Sequence, residues 1–121
     1  MVSDREKAER RRRALVGQLR EAAIGGLMRG SVVERRTKCG KAACRCARDE
    51  TARHAATALT VTIEGKRETV PLRQEDVERV KGLAASYELV WRLINELTKC
   101  ELADLRREAR ERRRSRERRS S

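Results

Sequence analysis

Three of the four cysteines and the only histidine of this 121-residue chain fall in one short stretch, Lys38 to His54, which reads KCGKAACRCARDETARH. That stretch limits the fold more than any other, because the rest of the chain has little with which to build a large core. Tyr87 and Trp91 are its only aromatic residues and phenylalanine is absent. Aromatic side chains dominate core burial, so packing rests on Leu, Val, Ile and Ala. A domain of this kind, between about Leu15 and Leu105, is marginal alone and calls for a metal, disulfides or a partner chain.

Before the cysteines, residues Ser3 to Arg13 carry charges of both signs and read as a frayed, solvated helical lead-in. From Ala14 the chain turns amphipathic, with Leu15, Leu19, Ala22, Ala23 and Leu27 near helical spacing. Gly30 marks a stop, and Ser31 to Arg35 form a short strand leading into the cysteine loop.

After the loop comes the clearest local signal. Leu59, Val61 and Ile63 alternate with Thr60, Thr62 and Glu64, as a half-buried strand requires. Gly65-Lys66 suits a two-residue turn with glycine first. That register sets Glu64 opposite Arg67, Thr62 opposite Thr69, Val61 opposite Val70 and Leu59 opposite Leu72. Only Ile63 against Glu68 is indifferent. Pro71 lacks an N–H and belongs at an edge or a strand end.

A long helix follows. Glu75, Asp76 and Glu78 place negative charge in its first turn, where the helix dipole favours it. Val80, Leu83, Tyr87, Val90, Ile94 and Leu97 repeat at spacings of three and four, a stripe that fits packing on the sheet and first helix or a short coiled coil. It places Tyr87 and Trp91 toward the core. Cys100 on this helix reads as a small buried side chain. The Arg- and Ser-rich end is either a solvated helix extension or disordered. The expected fold class is α+β: N-terminal helix, short strand, cysteine-rich loop, β-hairpin and long C-terminal helix. Residues 1–13 form the lead-in, 14–105 one small domain with its loop at 38–54, and 106–121 an Arg-rich tail.

In the loop, Cys39, Cys44, Cys46 and His54 give the spacing C-x4-C-x-C-x7-H. Zinc in structural sites takes four thiolate or imidazole ligands, and Gly40 permits a tight turn around an ion. Lys38, Lys41, Arg45 and Arg48 would offset three thiolates and lower the thiol pKa values. The spacing matches no common finger, and free thiols or a redox role are the competing readings. His54 as fourth ligand competes with Asp49, Glu50 or a water.

The net charge of +12 is unevenly placed. Residues 1–13, 29–53 and 106–119 carry +3, +5 and +6, and the remainder is mildly acidic. Arginine heavily outnumbers lysine, and its planar fork suits phosphates. An electrostatic partner is expected, nucleic acid before an acidic protein and DNA before RNA. The contacting residues would be Arg35, Arg36, Lys38, Lys41, Arg45 and Arg48. With the aromatics in the core, stacking on single strands is disfavoured.

The alternative is an interaction or accessory protein that dimerises, or docks on a larger protein, through the long helix. Catalysis is not expected: no Ser-His-Asp set, apolar carboxylate pair or phosphate-cradling glycine loop is present. No stretch approaches the roughly 20 apolar residues that span a bilayer. Apolar runs near the start are short, and Gly25-Gly26 break Ala22-Ala23-Ile24, so no secretory segment and a cytoplasmic protein are expected.

Arg29-Gly30-Ser31-Val32-Val33, then CGKAACRCA, a histidine, the Glu64-Gly65-Lys66 hairpin, a proline and a long helix occur in that order. This arrangement resembles a family of small bacterial proteins catalogued as a domain of unknown function. In that family the motif reads GSL, then CGKxxCxCA, then HGP with aromatics, then a GK-type hairpin. The resemblance runs from about Leu19 to Leu97 and implies a shared fold and a metal site in the loop, with no established activity. Cys39-Gly40-Lys41, Cys44 and Cys46-Ala47 match the motif. Ala55-Ala56 replace Gly-Pro, which puts the surroundings of His54 in question.

Overall fold

The computed structural model describes residues 2–120. Helix α1 (Asp4–Ile24) leads to strand β1 (Gly30–Thr37), and the loop carries two single 3-10 turns, Arg45–Ala47 and Glu50–Ala52. Strands β2 (His54–Ile63) and β3 (Lys66–Leu72) form the hairpin, and helix α2 (Gln74–Ser120) closes the chain. The three strands form one antiparallel sheet in the order β1-β2-β3. This is the expected α+β fold, with β2 central and Pro71 on the edge strand β3. The chain divides into two compact units, one from Gly26 to Glu88 and one combining the residues up to Gly25 with those from Leu89 onward.

The sheet unit is built on the alternation of β2. Leu59 and Val61 are buried against Val80 of α2, with Met28, Val32 and Leu72 packed around them. The Met28 N–H donates to the Leu83 carbonyl at 3.0 Å and anchors the chain entering β1. Gly30 does not end α1, which stops at Ile24 with Gly25 as its cap. It opens β1 opposite Val61. A Cβ at Gly30 would stand 2.8 Å from Val61 Cγ1 and 2.9 Å from Leu59 Cδ1, closer than carbon atoms pack. Glycine is needed there for closeness of approach.

The hairpin turn differs from the expected one. Its central residues are Glu64 and Gly65, both left-handed at φ 52° and 82°. Positive φ at both positions is the type I′ geometry, whose twist matches that of the flanking strands. The register therefore moves by two residues: Leu59 pairs with Val70, Val61 with Glu68, Thr62 with Arg67 and Ile63 with Lys66. A shift of two preserves the face of every side chain, so Leu59, Val61 and Leu72 still share the core side.

In the second unit, α1 starts with the Ser3 hydroxyl accepting the Glu6 N–H at 3.2 Å, an N-cap of the usual chemistry. Arg12, in the segment expected to fray, donates to Glu101 at 2.8 Å and to Asp104, tying α1 to α2. Leu15 is almost fully buried, as are Val90 and Leu93 of α2.

Two expectations for α2 need correction. Ile94 of the proposed stripe is exposed, and Trp91 is 51% exposed. The reason is helical phase: Val90, Leu93 and Leu97, at i, i+3 and i+7, form the inward side, and a residue one step on is turned by about 100°. Tyr87 is half-buried, and Cys100 is half-buried rather than enclosed. The Arg-rich end continues α2 to Ser120 as a helical extension.

Candidate metal centre

The last pair of the β1–β2 ladder is Thr37 with His54. Residues 38 to 53 therefore leave and return at one point, and the ladder itself sets His54 beside the start of the cysteine loop. Gly40 takes φ 87°, a conformation L side chains rarely adopt, and turns the chain back. The Cys44 N–H then donates to the Lys41 carbonyl at 3.1 Å. Cys44 precedes the turn Arg45–Ala47, which carries Cys46 inward until it is fully buried.

The result is a cluster. One sulfur from each of Cys39, Cys44 and Cys46 and one His54 ring nitrogen all lie within 4.8 Å of one another. Cys44 Sγ is 3.4 Å from His54 Nε2, and Cys46 Sγ is 3.5 Å from Cys39 Sγ. A small tetrahedral ion with bonds of about 2.3 Å to sulfur and about 2.05 Å to nitrogen would set its ligands about 3.8 Å (S–S) and about 3.6 Å (S–N) apart. The two separations fall within a few tenths of an ångström of that. The four donors could hold a four-coordinate ion.

Hydrogen bonds prepare the sulfurs for such a role. The Cys39 N–H donates to Cys46 Sγ at 3.3 Å. The Cys46 N–H, followed by the thiols of Cys46 and Cys39, holds the Cys44 thiol below its ordinary pKa. The Cys39 N–H also pulls Cys46 down, but burial and the neighbouring sulfurs together outweigh it, and that thiol is raised. Three sulfurs this close resist simultaneous ionisation unless a cation sits among them.

Asp49 has other partners. Its carboxylate accepts the Thr51 hydroxyl at 2.7 Å and the Thr51 N–H at 3.0 Å, capping the turn Glu50–Ala52, and it pairs with Arg45 at 3.1 Å. These bonds, the Thr51 hydroxyl first, hold the Asp49 carboxyl below its usual range. Neither Asp49 nor Glu50 joins the cluster that holds His54.

The model of one protein family, Domain of unknown function (DUF6788), matches residues 5–82, well over half of the chain. The chain belongs to this family. The DUF6788 match takes in α1, the whole sheet, the cysteine loop and the beginning of α2. The comparisons with curated proteins and with solved structures gave no match.

Among the basic residues singled out from the sequence, Arg35 and Arg36 lie exposed on the edge strand β1, on opposite faces of the sheet. Lys38, Lys41, Arg45 and Arg48 are exposed on the loop. Two of the six have partners: Arg45 pairs with Asp49, and Arg36 donates to the Arg53 carbonyl at 3.3 Å. Sequence reasoning passed over Arg53, which precedes His54 and whose carbonyl holds the strand end. Its position inside the charged run was the only signal.

Proposed function

We propose that this DUF6788 chain is a non-enzymatic DNA-binding module whose loop is held in shape by one structural zinc ion. The observation that carries the reading is the Cys39, Cys44, Cys46 and His54 cluster, whose four donor atoms lie within 4.8 Å of one another at a strongly basic loop. Zinc is the ion of choice for three thiolates and one imidazole. With three thiolates a bound divalent zinc leaves a net negative site, and Lys38, Lys41 and Arg48 on the same loop offset it while presenting positive charge to solvent. Four protein ligands leave no open position for substrate or water, which favours a structural over a catalytic role. Reduced thiols of this kind suit the cytoplasm. Among the described residues no helix is long and apolar enough to cross a membrane.

Phosphate contacts from Arg35, Lys38, Lys41 and Arg48 would supply most of the affinity, with little sequence reading because no recognition helix is offered. The exposure of Trp91 removes one argument against single-stranded nucleic acid. Duplex DNA remains favoured because residues 1–86, the loop and sheet included, contain no Phe, Tyr or Trp on which bases could stack.

The test is fluorescence anisotropy with labelled duplex DNA over a range of salt, beside metal analysis of protein purified without chelator. One zinc per chain and salt-sensitive binding are expected. Replacing Lys38, Lys41 and Arg48 together by alanine should lower the magnitude of the salt slope by about 3 if each meets a phosphate. Binding that survives this triple variant but disappears when Arg112, Arg113, Arg114 and Arg116 become glutamine would place the nucleic-acid contact on α2 and overturn the assignment to the loop.

A further inference from the structure

Five large apolar side chains of α2 are between 40 and 58% exposed; Leu89 is turned about 180° from Thr98, and the other four, Trp91, Ile94, Leu102 and Leu105, share one side. With Thr98 between them they follow spacings of three, four, four and three, and so lie within about 80° of the helix circumference over about 21 Å of its length. The Thr98 hydroxyl donates to the Ile94 carbonyl at 2.9 Å, so it can enter an apolar seam without an unmet donor. The row reads the same in both directions. Counted from Thr98, Ile94 and Leu102 stand four residues away, and Trp91 and Leu105 seven.

A surface with that symmetry is complementary to itself reversed, the requirement for a two-fold contact. We propose that two copies of this chain pair antiparallel through this face, with Thr98 at the axis, Ile94 against the partner's Leu102 and Trp91 against the partner's Leu105. Charge selects the antiparallel arrangement. A parallel, in-register pair would set residues 106–119, with nine arginines and three glutamates, against the same stretch of the other copy. Antiparallel pairing separates the two basic ends and brings exposed Arg106 alongside the partner's Glu88. The interface goes beyond the DNA-binding reading and does not depend on it.

Sedimentation of the full chain should show the mass rising from 13.9 kDa toward twice that value by about 200 µM. Emission of Trp91, the only tryptophan, should move to shorter wavelength over the same concentration range. Ile94→Glu and Leu102→Lys should each give a folded monomer, because both sites are exposed in the single chain. Mixed one to one, the two variants should regain the dimer, since the new glutamate meets the new lysine only when position 94 faces position 102. A wild-type chain that stays monomeric with unshifted emission overturns the proposal. So does a dimer that persists in both single variants, or a mixture that stays monomeric while both variants keep wild-type circular dichroism.

Discussion

Cys44 Sγ lies 3.4 Å from His54 Nε2 although ten residues separate them. The contact exists because His54 is the first residue of β2 and pairs with Thr37 as the loop departs. If the proposed ion is bound there, its loss should loosen the loop and the end of the ladder together. Chelation, or Cys44→Ser, is expected to remove the metal and lower the unfolding temperature, and His54→Ala to weaken metal affinity. Acid should release the ion too, because binding needs thiolates and a neutral imidazole. Elemental analysis together with thermal melts at neutral and acid pH checks all of these outcomes.

At the other unit, Arg12 bridges Glu101 and Asp104. Arg12→Ala and Asp104→Ala should each lower the melting temperature by a few degrees, and the double variant by less than their sum, because the residues form one network. Additive losses would show that the bridge contributes nothing.

Leu15 is 2% exposed in a unit with few large side chains. Leu15→Ala should cost about 2–5 kcal/mol, read from chemical denaturation at constant m-value. A loss well under 1 kcal/mol would mean that the neighbours collapse into the space.

The Glu64-Gly65 turn predicts opposite effects at adjacent positions. Gly65→Ala, at φ 82°, should destabilise by about 1–2 kcal/mol. Glu64→Asn, at φ 52°, should stabilise slightly, because Asn tolerates the left-handed region better than Glu. Equal effects at the two sites would be inconsistent with a type I′ turn.

Much of this architecture was legible in the residues. Alternation from Leu59 to Ile63 located β2 and its inward face, and the three-and-four spacing located α2. The hairpin register was missed by two because pairing chemistry alone favoured Glu64 opposite Arg67. The twist of the strands favoured a turn in which Glu64 is itself a corner residue. Trp91 was misplaced because the helical stripe was followed in a single phase, whereas burial near Leu93 is set by contacts that sequence spacing does not reveal. The three cysteines and His54 were readable as a ligand set, but what keeps Asp49 out of it was not. Thr51 and Arg45 engage Asp49, and the ladder carries the histidine to the loop.

The placement of His54 within a strand has a consequence for how the molecule matures. If β2 slid by one residue against β1, the imidazole would turn to the opposite side of the sheet, away from the three sulfurs. Such a chain would present only three of the four donors and would hold the ion weakly. If the loop binds an ion as proposed, metal uptake would favour correctly registered molecules over slipped ones.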